Sequence, residues 1–279
     1  MSLAVQDDGW RLSDALWAQL NPLLPVYQPP SHPLGCHRRR IEDRVVMEGI
    51  LFVLRTGCQW NALNATGICS SSTAHRRFLE WVEAGVFERF WQAGVLKYDE
   101  LQGIDWSWLS LDGTMTKAPL AGSKKPGRNP TDRGKQGVKR SLLTEGAGLP
   151  LAVAIDGANR HDMKLTRTTL EGIIVPRPAP TPERPQGLCL DAGYDYDEVR
   201  TIAAELGFTP HIRPRGEEAE AVVRHPDFKP RRWVVERTHS WMNRFRRLLV
   251  RWEKRDDTYL AMVHLALGII TWRATGLLG

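Results

Sequence analysis

From Trp106 the chain alternates short apolar runs, each ending at turn-forming residues, with longer segments of helical period. "WSWLSLDGT" reads as a strand that closes on Asp-Gly, and "VKRSLLTEGAGLPLAVAIDGAN" as two strands joined at Gly146–Gly148. A helix ("HDMKLTRTTLEGII"), a short buried strand ("GLCLDAGYD"), a second helix ended by Gly207 and a last strand ("FTPHIRP") follow. A basic helix then opens at Pro230. This order leaves few architectures. The hairpin makes antiparallel neighbours, whereas each helical crossover returns a strand in parallel. The expected fold is therefore α/β, a mixed sheet with helices packed on its faces.

The first hundred residues lack strand signals. "LSDALWAQLNPLL" starts at a Ser13 cap, "IEDRVVMEGILFVLRTG" stops at Gly57, and "STAHRRFLEWVEAG" stops at Gly85. Two domains are expected: an all-helical one over residues 1–100 and a sheet-containing one over residues 101–279. Two helices joined through a Gly-containing connector resemble a helix-turn-helix, with His75, Arg76 and Arg77 near the start of the second helix. The same pattern also suits any small helical domain.

The formal net charge of +6 is unevenly spread. Lys117, Lys124, Lys125, Arg128, Arg133, Lys135, Lys139 and Arg140 against Asp132 give residues 117–140 a net of +7. Residues 229–255 carry ten Lys or Arg and two acids, a net of +8, so the remainder is −9. Two basic stripes on an acidic background point to a polyanion such as nucleic acid; solvated basic faces are the plainer alternative. No apolar run reaches the ~18 residues that a membrane span needs. The start "MSLAVQDDGWRL" has no basic-then-apolar leader, so a soluble, cytoplasmic protein is expected. Cys36, Cys58, Cys69 and Cys189 form no C-x-x-C pair, which argues against a zinc site and for reduced, structural thiols.

Asp112 ends the first predicted strand and Asp191 the fourth. In open α/β sheets ligands bind beyond strand carboxyl ends where strand order reverses, so neighbouring strands would bring both carboxylates into one volume. Each alone reads equally as a turn former. On the basic helix, Val234, Trp241, Phe245, Leu248 and Trp252 share one stripe, while Arg232, Glu236, His239, Asn243 and Arg247 share the opposite face. Glu236 on that ridge suits a metal ligand flanked by phosphate-binding arginines, or an ion pair with Arg232. Trp233 lies off the apolar stripe and is a candidate for stacking on a base.

The segments "LDGTMTKAP", "GKQGVKRSLLTEGAGLPLAVAIDGANRHD", "CLDAGYD" and "RRWVVERTHSWMNRFRRLLVRWEKR" together resemble the catalytic domain of DDE transposases of bacterial insertion sequences, of the family five type. The helical first part resembles the domain that accompanies them. The resemblance implies an RNase H-like mixed sheet flanked by helices, behind a small N-terminal all-helical domain. It matches Asp112, Asp191 and Glu236 to the catalytic, metal-binding carboxylates, and Arg232 to the arginine four residues before the glutamate. It implies Mg²⁺, with Mn²⁺ as a substitute, in a two-metal cleavage and strand-transfer reaction. Its partners are double-stranded DNA, both terminal inverted repeats and target, on which a homodimer assembles near the nucleoid. Arg232 and Arg244 would position phosphates. The basic loop would track the backbone, and the helices bearing Arg76 and Arg77 would read sequence. Related families often carry a tyrosine where Lys229 stands and a lysine where Asn243 stands, with Arg244 next. His161 and Asp162 are expected to begin a helix, as its N-terminal cap or as site residues. A metal nuclease that cuts without joining, and a non-catalytic DNA-binding regulator, are the competing readings.

Overall fold

The computed structural model describes residues 11–28, 40–120, 127–212 and 233–278. Its first part is helical: α1 (Asp14–Leu20), α2 (Asp43–Thr56), α3 (Ser71–Glu83) and α4 (Val86–Gln102). Ser13 caps α1 by accepting a hydrogen bond from the Leu16 amide at 3.2 Å. Gly57 ends α2 with φ of 72° and lies so close to Arg246 that a Cβ would sit 3.0 Å from its backbone. A 3₁₀ turn (Trp60–Ala65) separates α2 from α3.

The sheet contains β1 (Trp108–Lys117), β2 (Gly127–Arg128), β3 (Gln136–Glu145), β4 (Pro150–Gly157), β5 (Gly187–Leu190) and β6 (Thr209–Ile212). Their order is β2–β3–β1–β5–β6, with β4 also paired to β3. β1, β3 and β4 run antiparallel, and β5 and β6 run parallel to β1. α5 (Met163–Glu171) links β4 to β5 and α6 (Asp197–Glu205) links β5 to β6. α7 (Trp233–Asn243) packs on β1 and β3. The mixed α/β architecture, a mixed sheet flanked by helices with a helical region before it, is the one expected.

Three local expectations are corrected. β1 does not end at Asp112. It continues to Lys117, because β3 keeps pairing with it as far as Lys117↔Gly137. The basic helix does not run to Arg255. α7 stops at Asn243, a 3₁₀ turn (Arg246–Leu248) follows, and the chain then docks on the end of β1, where the Arg251 amide donates to the Lys117 carbonyl at 2.7 Å. Phe245 and Leu248 stay buried, but Trp252 is 40% exposed. His239 and Arg247, assigned to the polar ridge, are both buried. Arg247 is held there by Glu253 at 2.7 Å and by the Cys58 carbonyl at 2.9 Å.

α8 (Asp256–Ala274) was not singled out in the sequence. It is buried on all sides, which erases the amphipathic period that marks a surface helix. It lies against α4 with almost no space between them. Phe90 occupies the room a Cβ would need at Gly268, and a Cβ at Gly94 would meet Trp272 Nε1 at 2.9 Å. Trp272 Nε1 donates to the Phe90 carbonyl at 3.0 Å. α8 also touches α7 and β4, so the helical part and the sheet share one hydrophobic core.

Gly268→Ala forces α4 and α8 apart. Such overpacking costs roughly 1–3 kcal/mol, and each kcal/mol lowers Tm by about 2–4 °C in a chain of this size. A thermal melt indistinguishable from that of the parent chain would refute this close packing.

Candidate active site

The parallel register sets the first two carboxylates side by side. β1 and β5 pair from Trp108↔Gly187 to Ser110↔Cys189. Two residues further along each strand come Asp112 and Asp191, on backbones about 4.8 Å apart. Here β5 ends and β1 goes on. The chain after Asp191 turns into a 3₁₀ helix (Ala192–Tyr194), and Asp191 Oδ1 accepts from the Gly193 amide at 2.8 Å. That bond fixes the direction of the second carboxylate.

α7 brings the third. Thr238 Oγ1 donates to the Gly148 carbonyl at 2.7 Å and Arg237 to the Ala147 carbonyl, which ties the helix to the β3–β4 turn. Glu236 is exposed on this helix, close enough to Asp112 to act on its charge. His239, three residues on, is buried at the Asp112 main chain. Burial first, and then Arg140, push its imidazole down to about 4, so it is neutral.

A fourth acid joins them. Asp162 Oδ2 bonds Lys139 Nζ at 2.8 Å, while its Oδ1 fills the space where a Cβ on Gly113 would go. Asp162 was expected as a helix cap or a site residue, and its side chain makes no capping bond to α5. The buried Tyr194 hydroxyl lies near the same point, with its ionisation suppressed by burial and then by Asp162, Asp112 and Asp191. The Asp112 carboxyl is consequently pushed up to about 6. Burial is the main cause, the Gly113 amide offsets part of it, and Asp191, Asp162 and Glu236 add to it. Asp162 was legible only as the Asp of "NRHD", and its meeting with Gly113 depends on tertiary packing.

Such oxygen donors suit hard divalent cations, and a cation relieves exactly this kind of crowding. The donor chemistry therefore fits Mg²⁺ or Mn²⁺. The ligand geometry is not assembled: among the described residues no group of three or more His, Cys, Asp or Glu side chains is arranged to hold a metal ion.

The basic residues divide by burial. Lys117, Arg128, Arg133 and Lys135 are exposed at the open end of β1–β3, with Lys117 3.4 Å from Asp132. Lys139 and Arg140, expected among the DNA contacts, are buried in β3. Lys139 serves Asp162, and Arg140 reaches the Leu248 carbonyl at 3.4 Å. Arg76 is exposed on α3. Arg77 is buried, paired to Asp43 and, at 3.2 Å, to Glu80, so it anchors α3 and does not face outward. Arg244 is exposed. Lys124, Lys125 and Arg232 lie outside the described residues.

The electrostatics predict a stability effect of definite sign. An unfolded aspartate ionises near ~3.9, whereas Asp112 in the fold ionises at about 6. As pH rises through that window the unfolded chain gives up its proton first, so stability is lost, and the loss saturates above about 6. Asp112→Asn removes the penalty. Without divalent ions it is expected to raise stability at pH 8 by roughly 1–3 kcal/mol, with the gain vanishing towards pH 4. A mutant less stable than its parent at pH 8 would contradict this account.

Comparison with known proteins gives concordant matches. Residues 12–91 match the family model described as "Putative transposase of IS4/5 family", and residues 107–270 match "Transposase DDE domain". A Burkholderia cepacia protein named "Putative transposase for insertion sequence element IS402" is 35% identical over 154 residues, 54% of this chain and 70% of the relative. A second from the same organism, "Insertion element IS402 uncharacterized 16.2 kDa protein", is 35% identical over 114 residues, 40% of this chain and 77% of the relative. Among solved structures, the Mos1 mariner paired end complex with Mn aligns over 89% of this chain and 82% of its own, at 12% identity and a TM-score of 0.27, a likeness too slight to carry any argument. The DDE-domain model spans more than half of the sequence, and with it the strands and helix that bear Asp112, Asp191 and Glu236: the chain belongs to the DDE-domain transposases.

Proposed function

We propose that the chain is a DNA transposase that cleaves at the ends of its insertion sequence and transfers the freed strand into target DNA. Asp112, Asp191 and Glu236 are its catalytic carboxylates. The observation that carries this reading is the β1–β5 register that levels Asp112 with Asp191 in a chain of this family. Asp112, Asp191 and Glu236 would hold Mg²⁺ or Mn²⁺, which would supply activation of the attacking oxygen and neutralisation of the leaving one.

The protein's own part is placement. The β1–β5 register levels two carboxylates, and the Gly193 amide orients one of them. The turn that grips Arg237 and Thr238 holds the helix carrying the third. Neutral His239 beneath Asp112 adds no competing charge at neutral pH. In-line displacement requires no side-chain nucleophile.

Residues 101–279 form the catalytic unit, and residues 1–100 the unit that reads the terminal repeats, with Arg76 on its exposed face. Lys117, Arg128, Arg133 and Lys135, with Lys124 and Lys125 between them in the sequence, follow the DNA backbone, joined by Arg232 and Arg244. Contacts of this kind give salt-dependent affinity with little sequence content. Two ends are cut together, so the acting form is a dimer on DNA, in the cytoplasm at the nucleoid. No helix among the described residues is long and apolar enough to cross a membrane.

A supercoiled plasmid carrying the element's ends, incubated with the protein and Mg²⁺, is expected to give cleaved and joined products. Asp191→Asn is expected to remove at least ~10³-fold of that activity, equivalent to about 4 kcal/mol of transition-state stabilisation, while DNA binding persists. Nicking without joining would make the protein a nuclease. Shifted but uncut DNA would make it a regulator, and normal cleavage by the Asp191 variant would discard this site.

A further inference from the structure

A buried carboxylate outside the proposed reaction sits at the end of β3. Glu145 is 1% exposed, and burial pushes its carboxyl up. An acid in such a place is destabilising unless hydrogen bonds compensate it. Its Oε1 accepts from the Ala147 amide at 2.8 Å and from the Leu149 amide at 2.9 Å, and its main-chain carbonyl accepts from the Gly148 amide at 2.9 Å. One residue thus holds three successive amides of the β3–β4 turn.

Peptide planarity carries this hold to the far side of the turn. In a trans peptide unit the N–H and the C=O point in opposite directions. The Leu149 amide is turned in towards Glu145, so the Gly148 carbonyl of the same unit points away, and it accepts from Thr238 Oγ1 at 2.7 Å. The Gly148 amide is held in the same way, and the Ala147 carbonyl opposite it accepts from Arg237. Arg237 and Thr238 directly follow Glu236 on α7. An amide bonded to a carboxylate also polarises its own carbonyl, which strengthens the bond that the carbonyl accepts. The fit leaves little room: Gly148 has φ of 89°, and a Cβ there would stand 2.9 Å from Arg237 Nη2 and 3.1 Å from Thr238 Oγ1. Glu145 itself is remote from the metal-binding candidates. Its partner on β1 is Leu109, three residues and about 10 Å along the strand from Asp112.

We infer that Glu145 is a positioning residue, which fixes through the β3–β4 turn the place that Glu236 takes relative to Asp112. The inference rests on the reading of Glu236 as the third catalytic carboxylate. Glu145 touches neither metal nor DNA. It holds two peptide units by their N–H ends, and α7 is tied to their C=O ends within two residues of Glu236.

Three variants of the full chain test this. Glu145→Leu removes the acceptor at similar volume, Glu145→Gln keeps an oxygen of the same reach, and Thr238→Val breaks the link on the helix side. Without metal or DNA, hydrogen–deuterium exchange in the first turns of α7 is expected to be about fivefold faster in Glu145→Leu, with β1 and β5 protected as in the parent chain. On the supercoiled plasmid, Glu145→Leu is expected to raise the Mn²⁺ concentration for half-maximal cleavage about 10–100-fold and to lower kcat, with the KM for plasmid changed less than about twofold. Glu145→Gln is expected to restore most of both. Thr238→Val added to Glu145→Leu should bring little further loss, because both cut one link. If Glu145→Leu does not fold, Glu145→Asp, which keeps the charge and shortens the reach, carries the same expectations. A lowered Tm with α7 exchange and Mn²⁺ requirement at parental values makes Glu145 a support of the turn alone and overturns the inference, as does full additivity with Thr238→Val. If joined products form while α7 exchange ignores Glu145, the positioning assignment fails alone. If α7 loosens in Glu145→Leu and the parent chain cuts no plasmid, the transposase reading fails alone.

Discussion

The Asp112 carboxylate sits partly buried within the fields of three other acids, and much of the surrounding chain serves to keep it there. A charge in such a place is destabilising unless something pairs with it. The fold supplies only partial relief. The Gly113 amide favours the charged form, and Lys139 compensates Asp162 from within β3. The remaining repulsion is stored in a sheet whose hydrogen bonds do not let the strands separate. Residual repulsion of this kind is expected where a site awaits a cation and is hard to explain as a contribution to stability.

The constraint propagates outward from the sheet. Because β5 stops level with Asp112 while β1 continues, the end of β1 is free to pair with the segment after α7, through Lys117 and Val250. That docking turns the chain, ends α7 after only three turns, and directs Arg244 towards α2 and α8. Gly57, in contact with Arg246, passes the same constraint to the helical first part. The placement of Glu236 and the approach of Arg244 to α2 and α8 are thus two results of one strand pairing.

Caps, turns and hairpins were legible in the sequence because they depend on near neighbours. Ser13, Gly57, Gly85 and Gly207 each mark a boundary that the structure reproduces. Asp112 and Asp191 were legible as candidates, but their levelling depends on register across residues nearly eighty apart, and no local period encodes that. The basic residues were misjudged for a physical reason. Counting charges assumes they face water, whereas Arg77, Lys139, Arg140 and Arg247 are buried against carboxylates and carbonyls contributed by distant segments. α8 escaped notice for the opposite reason: a helix enclosed by the core has no polar face to reveal its turn.

The close seating of α8 on α4 also sets an order of events during synthesis. α4 is complete at Gln102, and the helix that covers its apolar face begins only at Asp256. At a ribosomal pace of about 5–20 residues per second, roughly ten to thirty seconds separate the two. Through that interval the nascent helical part must keep a greasy flank exposed, open to chaperones and proteases, so the polypeptide becomes resistant to digestion only once its late helix has emerged and docked.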